Sequence, residues 1–135
     1  MFVLDCSVTM AWVFDDEDEP LAANVRDRLA DTIAIVPSVW SLETSNALLT
    51  AERRGRLTEA ESVRFLTVLR SLPIDVEAGL SLRLVDELLP LARRHGLTVY
   101  DASYLELAMR RGVPLATLDA RLCAAAVAVG VGVVR

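Results

Sequence analysis

Four carboxylates, Asp5, Glu43, Asp101 and Asp119, stand where side chains far apart in the chain can meet. Asp5 follows directly on the apolar run Phe2-Val3-Leu4, and Asp119 on the run from Val113 to Leu118. Each run reads as a buried strand, so each acid sits at a strand's carboxyl end, where open α/β sheets bind ligands. Glu43 shares a helical face with Val39, Trp40, Asn46 and Ala47, and Asp101 with Tyr104, Leu105 and Ala108. Both therefore point where apolar residues point. Unpaired buried carboxylates are strongly disfavoured, and a metal ion is the simplest account of several in one place. Ligation by oxygen alone favours a hard cation, Mg²⁺ or Mn²⁺. Singly, each acid also has a plain structural reading: Asp5 and Asp119 as strand ends or helix caps, Asp101 as half of a capping box, Glu43 as a helix-surface residue. Their joint placement at one sheet edge favours the site. Ser7, two residues past Asp5, Thr117, two before Asp119, and Asn46, a turn beyond Glu43, could orient a carboxylate, or be caps and solvated surface.

Composition narrows the chemistry. The formal net charge of the 135 residues is −5, and all 14 basic residues are Arg, so mechanisms that need a lysine ammonium are excluded. An acidic balance is unusual for a nucleic-acid binder, but a bound metal inverts the sign locally. The single His, His95, lies in Arg93-Arg94-His95-Gly96, a helix-end pattern. A two-histidine ribonuclease within one chain is thereby excluded. Cys6 and Cys123 are too few for a disulfide scaffold and read as buried free thiols, consistent with a cytoplasmic setting. No signal peptide is evident, and the uncharged run from Leu122 to Val134 is too short to span a bilayer.

The elements that must position the acids are legible as alternating short apolar runs and helices. Strands are expected at Phe2 to Leu4, Ile33 to Val36, Pro73 to Val76, Val113 to Leu118 and Val131 to Val134. Between them, Ser7 is expected to cap a short helix, Asp15 to Glu19 to form a solvated loop, and Pro20 to open a helix through about Leu29. Further helices are expected from Ser38 to about Arg54, from a Thr58–Glu61 capping box to near Ser71, from Thr98 to Gly112 and from Asp119 to Val129. Leu80 to His95 has a helical pattern that Pro90 should kink or split. Alternation of this kind predicts one α/β domain over residues 1–135, with a mostly parallel sheet of about five strands and helices on both faces.

Phe2-Val3-Leu4-Asp5-Cys6-Ser7, Glu43-Thr44-Ser45-Asn46, Leu97 to Tyr104 (with Tyr100-Asp101-Ala102) and Leu115-Ala116-Thr117-Leu118-Asp119 together carry a resemblance. At these intervals the chain resembles PIN-domain ribonucleases, specifically the VapC-type toxins of toxin–antitoxin pairs, over essentially its whole length. The resemblance implies a PIN-like three-layer α/β/α sandwich and an acidic pocket that binds Mg²⁺ or Mn²⁺. It implies that Asp5, Glu43, Asp101 and Asp119 are catalytic and metal-binding, with Ser7, Asn46 and Thr117 in support. It further implies an RNA substrate, a VapB-like antitoxin as inhibitory partner and a homodimer, with no membrane involved.

The chemistry so implied is hydrolysis of an RNA phosphodiester by in-line attack of water, with a metal lowering the water's pKa and Asp101 or Glu43 accepting its proton. Arg53, Arg54, Arg56, Arg110 and Arg111 could hold phosphates or be solvated helix-end charge. Trp12, Trp40 and Tyr104 could stack on bases or fill the core. Receiver domains and haloacid-dehalogenase-like phosphatases also cluster acids at strand ends, but both require a lysine, and the latter an Asp where Ser7 stands. The remaining alternatives are a non-toxin RNA-processing or DNA nuclease of the same fold, and a non-catalytic interaction module.

Overall fold

The computed structural model describes residues 1–14, 19–79 and 81–135. The chain runs β1 (Phe2–Leu4), α1 (Cys6–Ala11), α2 (Pro20–Arg28), β2 (Ala34–Val36), α3 (Val39–Arg53), α4 (Glu59–Ser71), β3 (Ile74–Val76), α5 (Leu82–His95), α6 (Val99–Arg111), β4 (Leu115–Ala116) and α7 (Ala120–Ala128). The strands form one sheet in the order β3-β2-β1-β4, parallel at every pairing. Phe2 lies opposite Ala34, Val3 opposite Leu115 and Leu4 opposite Ala116. From β1 the chain moves outward through β2 to β3, then returns to the other side of β1 for β4. Right-handed crossovers in the two directions place helices on opposite faces, and the crevice between β1 and β4 is the switch point.

β1, β2 and β4 read as continuous apolar runs because helices cover them, while the edge strand β3 carries Asp75 and is partly exposed. Val3, Leu4, Ala34, Val36, Leu115 and Ala116 are fully buried, with Val8, Leu105 and Leu122 beside them. α6 packs on both β1 and β4, and α5, with Leu88 and Ala92 inward, packs on α6. Helix boundaries follow local chemistry. Thr58 and Glu61 form the reciprocal capping box that opens α4. Gly96 and Gly112, both left-handed, end α5 and α6. Thr58→Ala is expected to cost about 1 kcal/mol, read as a lower urea midpoint with an unchanged slope.

Three details differ from the sequence expectations. α5 is one continuous helix through Pro90. Pro90 and Asp86 are both exposed, so the Asp86 carbonyl that Pro90 cannot pair can be hydrated instead. The N-cap of α1 is Asp5, not Ser7, whose side chain is used elsewhere. The segment from Val131 to Val134 makes a single parallel bridge, Val133 to Leu115, leaving a sheet of four strands. On that side of β4 Leu115 accepts from Val134 and donates to Gly132, whereas the Pro114 carbonyl faces β1 and accepts from Val3. Residues 15–18 of the expected acidic loop, and Leu80 at the expected start of α5, lie outside the described residues.

Candidate active site

The register that sets Leu4 beside Ala116 places Asp5 and Thr117 together at the carboxyl ends of adjacent strands. The Thr117 hydroxyl donates to Asp5 Oδ2 at 2.7 Å, and the Ser7 hydroxyl donates to the same oxygen at 2.6 Å. Both hydroxyls also accept backbone N–H groups: Thr117 from Asp119 at 3.0 Å, Ser7 from Leu118 at 2.9 Å. The loop after β4 is thus clasped to the loop after β1 through two small hydroxyls. Asp119 caps α7, its Oδ1 accepting from the Leu122 amide at 2.8 Å. Glu43 projects from the first turns of α3, where the fully buried Tyr104 of α6 donates its hydroxyl to Oε1 at 2.7 Å. Asp101 stands in the first turn of α6, its amide donated to the Thr98 hydroxyl. Asp5, Glu43 and Asp119 are each held through one carboxylate oxygen, and the other has no side-chain partner among the described residues.

Glu43 and Asp101 feel the charge of their acidic neighbours. Burial raises the Asp5 carboxyl above the ordinary range, against the lowering effect of Ser7 and Thr117. Glu43 is raised by burial and by the Asp5 and Asp101 charges, while Tyr104 opposes. Asp101 is raised by burial and by Asp5 and Asp119, with Thr98 and Arg121 opposing. The Cys6 thiol, beside Thr44 at 3.7 Å, is pushed up to about 12 by burial, which makes it an inert neighbour.

This donor set fits a hard divalent cation. The carboxylates repel one another, and their oxygens are of the type Mg²⁺ and Mn²⁺ prefer. Among the described residues no three His, Cys, Asp or Glu side chains are close enough to hold a metal ion jointly. Mg²⁺ needs only one or two direct carboxylates, keeping waters and substrate phosphate as its other ligands, so the spacing is compatible with it.

Two clefts meet at the start of α7. One, of about 520 Å³, is lined by Gly96, Leu97, Thr98, Asp101, Asp119 and Arg121, among others. The other, of about 550 Å³, is lined by Thr117, Asp119, Cys123, Asn24 and Arg135, among others. Asn46 is exposed and makes no side-chain hydrogen bond among the described residues. Arg53 and Arg54 lie roughly 15 Å along α3 from Glu43, at about 1.5 Å per residue. Arg110 is engaged by Glu106 and Glu77 at 2.7 Å each, and Arg56 lies 3.9 Å from the centre of the Phe14 ring. The Arg111 guanidinium reaches the Met1 sulfur, while Trp12 and Trp40 donate to Ala22 O and to the Thr9 hydroxyl. The aromatic residues therefore serve the core. Arg121, two residues past Asp119, was not among the sequence candidates, although its spacing from Asp119 was visible.

Fold and site together define an α/β protein with an acidic pocket at the switch point of a parallel sheet. The PIN domain family model matches residues 2–128, and the chain belongs to the PIN-domain family. Its curated relatives are of the VapC type. Over 101 residues it is 39% identical to Ribonuclease VapC3 and 36% identical to Ribonuclease VapC1, both of Mycobacterium tuberculosis. These alignments cover 75% of this chain and 71% and 74% of the relatives. The crystal structure of PAE2754 from Pyrobaculum aerophilum superposes with a TM-score of 0.70 at 28% identity, covering 92% of this chain and 83% of that one.

Proposed function

We propose that the chain is a metal-dependent endoribonuclease, the toxin of a type II toxin–antitoxin module, hydrolysing RNA phosphodiester bonds. The observation that carries this reading is the gathering of Asp5, Glu43, Asp101 and Asp119 at the switch point, in a PIN-domain chain whose relatives are named as ribonucleases. One or two of these carboxylates would bind Mg²⁺ or Mn²⁺ directly and the others through its waters, and the ion would neutralise charge on the phosphate and make water easier to deprotonate. Ser7 and Thr117 orient Asp5. Glu43 or Asp101 takes the attacking water's proton as the P–O bond to the leaving strand breaks. Their raised pKa values make them stronger bases than surface acids.

The VapC relationship also supports a VapB-like antitoxin partner and a homodimer. Leu42 and Leu49, seven residues apart on α3 and both exposed, are suited to such contacts. No helix among the described residues is long and apolar enough to cross a membrane. A cytoplasmic site of action accords with the RNA substrate.

The test is incubation with total cellular RNA, with and without Mg²⁺ or Mn²⁺, a chelator control, and mapping of the new 5′ ends. Single-stranded DNA in parallel separates ribonuclease from DNA nuclease. RNA left intact with both metals would refute the proposal. Tyr104→Phe bears on the proton acceptor: losing the Tyr104 hydrogen bond raises the Glu43 pKa further. The acidic limb of the rate–pH profile is then expected to move to higher pH, and an unmoved limb would remove Glu43 from that role.

A further inference from the structure

Arg121 lies in the first turn of α7 and lines the cleft that contains Asp101 and Asp119. A cation at a helix N-terminus opposes the helix dipole, so α7 itself gains nothing from this charge. The side chain is exposed, and its guanidinium makes one hydrogen bond among the described residues, to the Gly96 carbonyl at 3.3 Å. A strong charge-assisted bond is shorter, about 2.7–2.9 Å, so that contact tethers the side chain weakly and leaves most of its donor fork open. The cleft is thus lined by a carboxylate pair and by a planar fork suited to phosphate, whose charge also acts on Asp101. Of the basic residues singled out from the sequence, Arg110 is engaged by two glutamates and none lines this cleft.

We infer that Arg121 is a phosphate anchor, gripping a backbone phosphate of the RNA strand next to the one being cleaved and so setting where the strand lies across the carboxylates. This inference rests on the nuclease reading. An anchor of this kind binds ground and transition states alike, so its loss raises KM while kcat stays near wild type. It also contributes one counterion-releasing contact to the salt dependence of binding.

The probe is a fluorescein-labelled single-stranded 20-nucleotide RNA, followed by anisotropy with Mg²⁺ across a NaCl series. Binding is measured on the Asp5→Asn chain so that the probe survives, and cleavage by the otherwise intact chain is assayed alongside. Arg121→Ala is expected to flatten the slope of log K against log salt by about 0.7, and equally for RNAs of different sequence. Arg121→Gln, which keeps a donor for Gly96 without the charge, should match alanine and carries the test if alanine disturbs folding. Arg121→Lys should recover most of the slope. Arg64→Ala, which removes a like charge from the exposed face of α4, should leave it unchanged. A wild-type slope and KM in Arg121→Gln, or an equal loss in Arg64→Ala, would overturn the anchor while cleavage by the unaltered chain still upheld the nuclease. A wild-type chain that neither binds nor cuts the RNA would overturn both.

Discussion

Asp5→Asn is expected to slow RNA cleavage by roughly 10²–10³-fold or more while the chain stays folded. Asp5 is buried at the switch point, raised in pKa by that burial, and acted on by neither lysine nor histidine. The substitution keeps the side chain's shape and removes the charge that a hard cation requires. Asp119→Asn should behave similarly, because its outer oxygen is lost as a strong ligand while its inner oxygen still caps α7. Cleavage at the wild-type rate by a variant with a native near-ultraviolet spectrum would remove Asp5 from the site.

The second large effect is thermodynamic. Mg²⁺ at about a hundred times its Kd is expected to stabilise the chain by about 2.7 kcal/mol, a rise of several degrees in Tm at this size. The sign of the underlying strain follows from the pKa directions. Asp5, Glu43 and Asp101 are all raised in the folded state. Folding therefore holds their protons more tightly than the unfolded chain does, and their stabilising contribution is complete below the unfolded values near 4. It is lost as pH rises through the raised folded values. Without divalent metal, Asp5→Asn should thus be more stable than wild type at neutral pH, by an advantage that shrinks as pH falls towards 4. With Mg²⁺ the order should narrow or reverse. Calorimetry of both proteins at pH 4.5 and 7, with chelator and with Mg²⁺, checks this. A wild-type Tm indifferent to Mg²⁺ would sink the metal-site reading.

The centre of the sheet was legible because β1, β2 and β4 are buried and read as unbroken apolar runs, whereas the edge strand β3 is interrupted by Asp75 and partly exposed. Asp5 was legible as the residue that follows a buried strand; Asp119 was legible as an acid shortly after β4, although that strand ends at Ala116 and Asp119 caps α7. Ser7 and Thr117 could be singled out by their nearness to those acids. That both converge on one oxygen of Asp5 depends on the register of β1 against β4, which local sequence does not encode. Tyr104 appeared as an apolar-face residue; its bond to Glu43 spans two helices and 61 positions. Arg110 resembled a helix-end cation because Glu77, 33 residues away, carries no local sign of its approach. Pro90 does not split α5, because its position on an exposed face lets water reach the Asp86 carbonyl.

The two hydroxyls that clasp Asp5 also dictate how an amide would sit there. Each accepts a backbone N–H on one lone pair and donates its proton to Oδ2. An asparagine keeps both of those bonds by turning its carbonyl toward the hydroxyls and its NH₂ into the pocket. The substitution would therefore replace a lone pair with a pair of donors facing the incoming phosphate. Such a chain should hold a cation less well, and with cutting slowed it is a natural form in which to look for an uncut strand by crystallography.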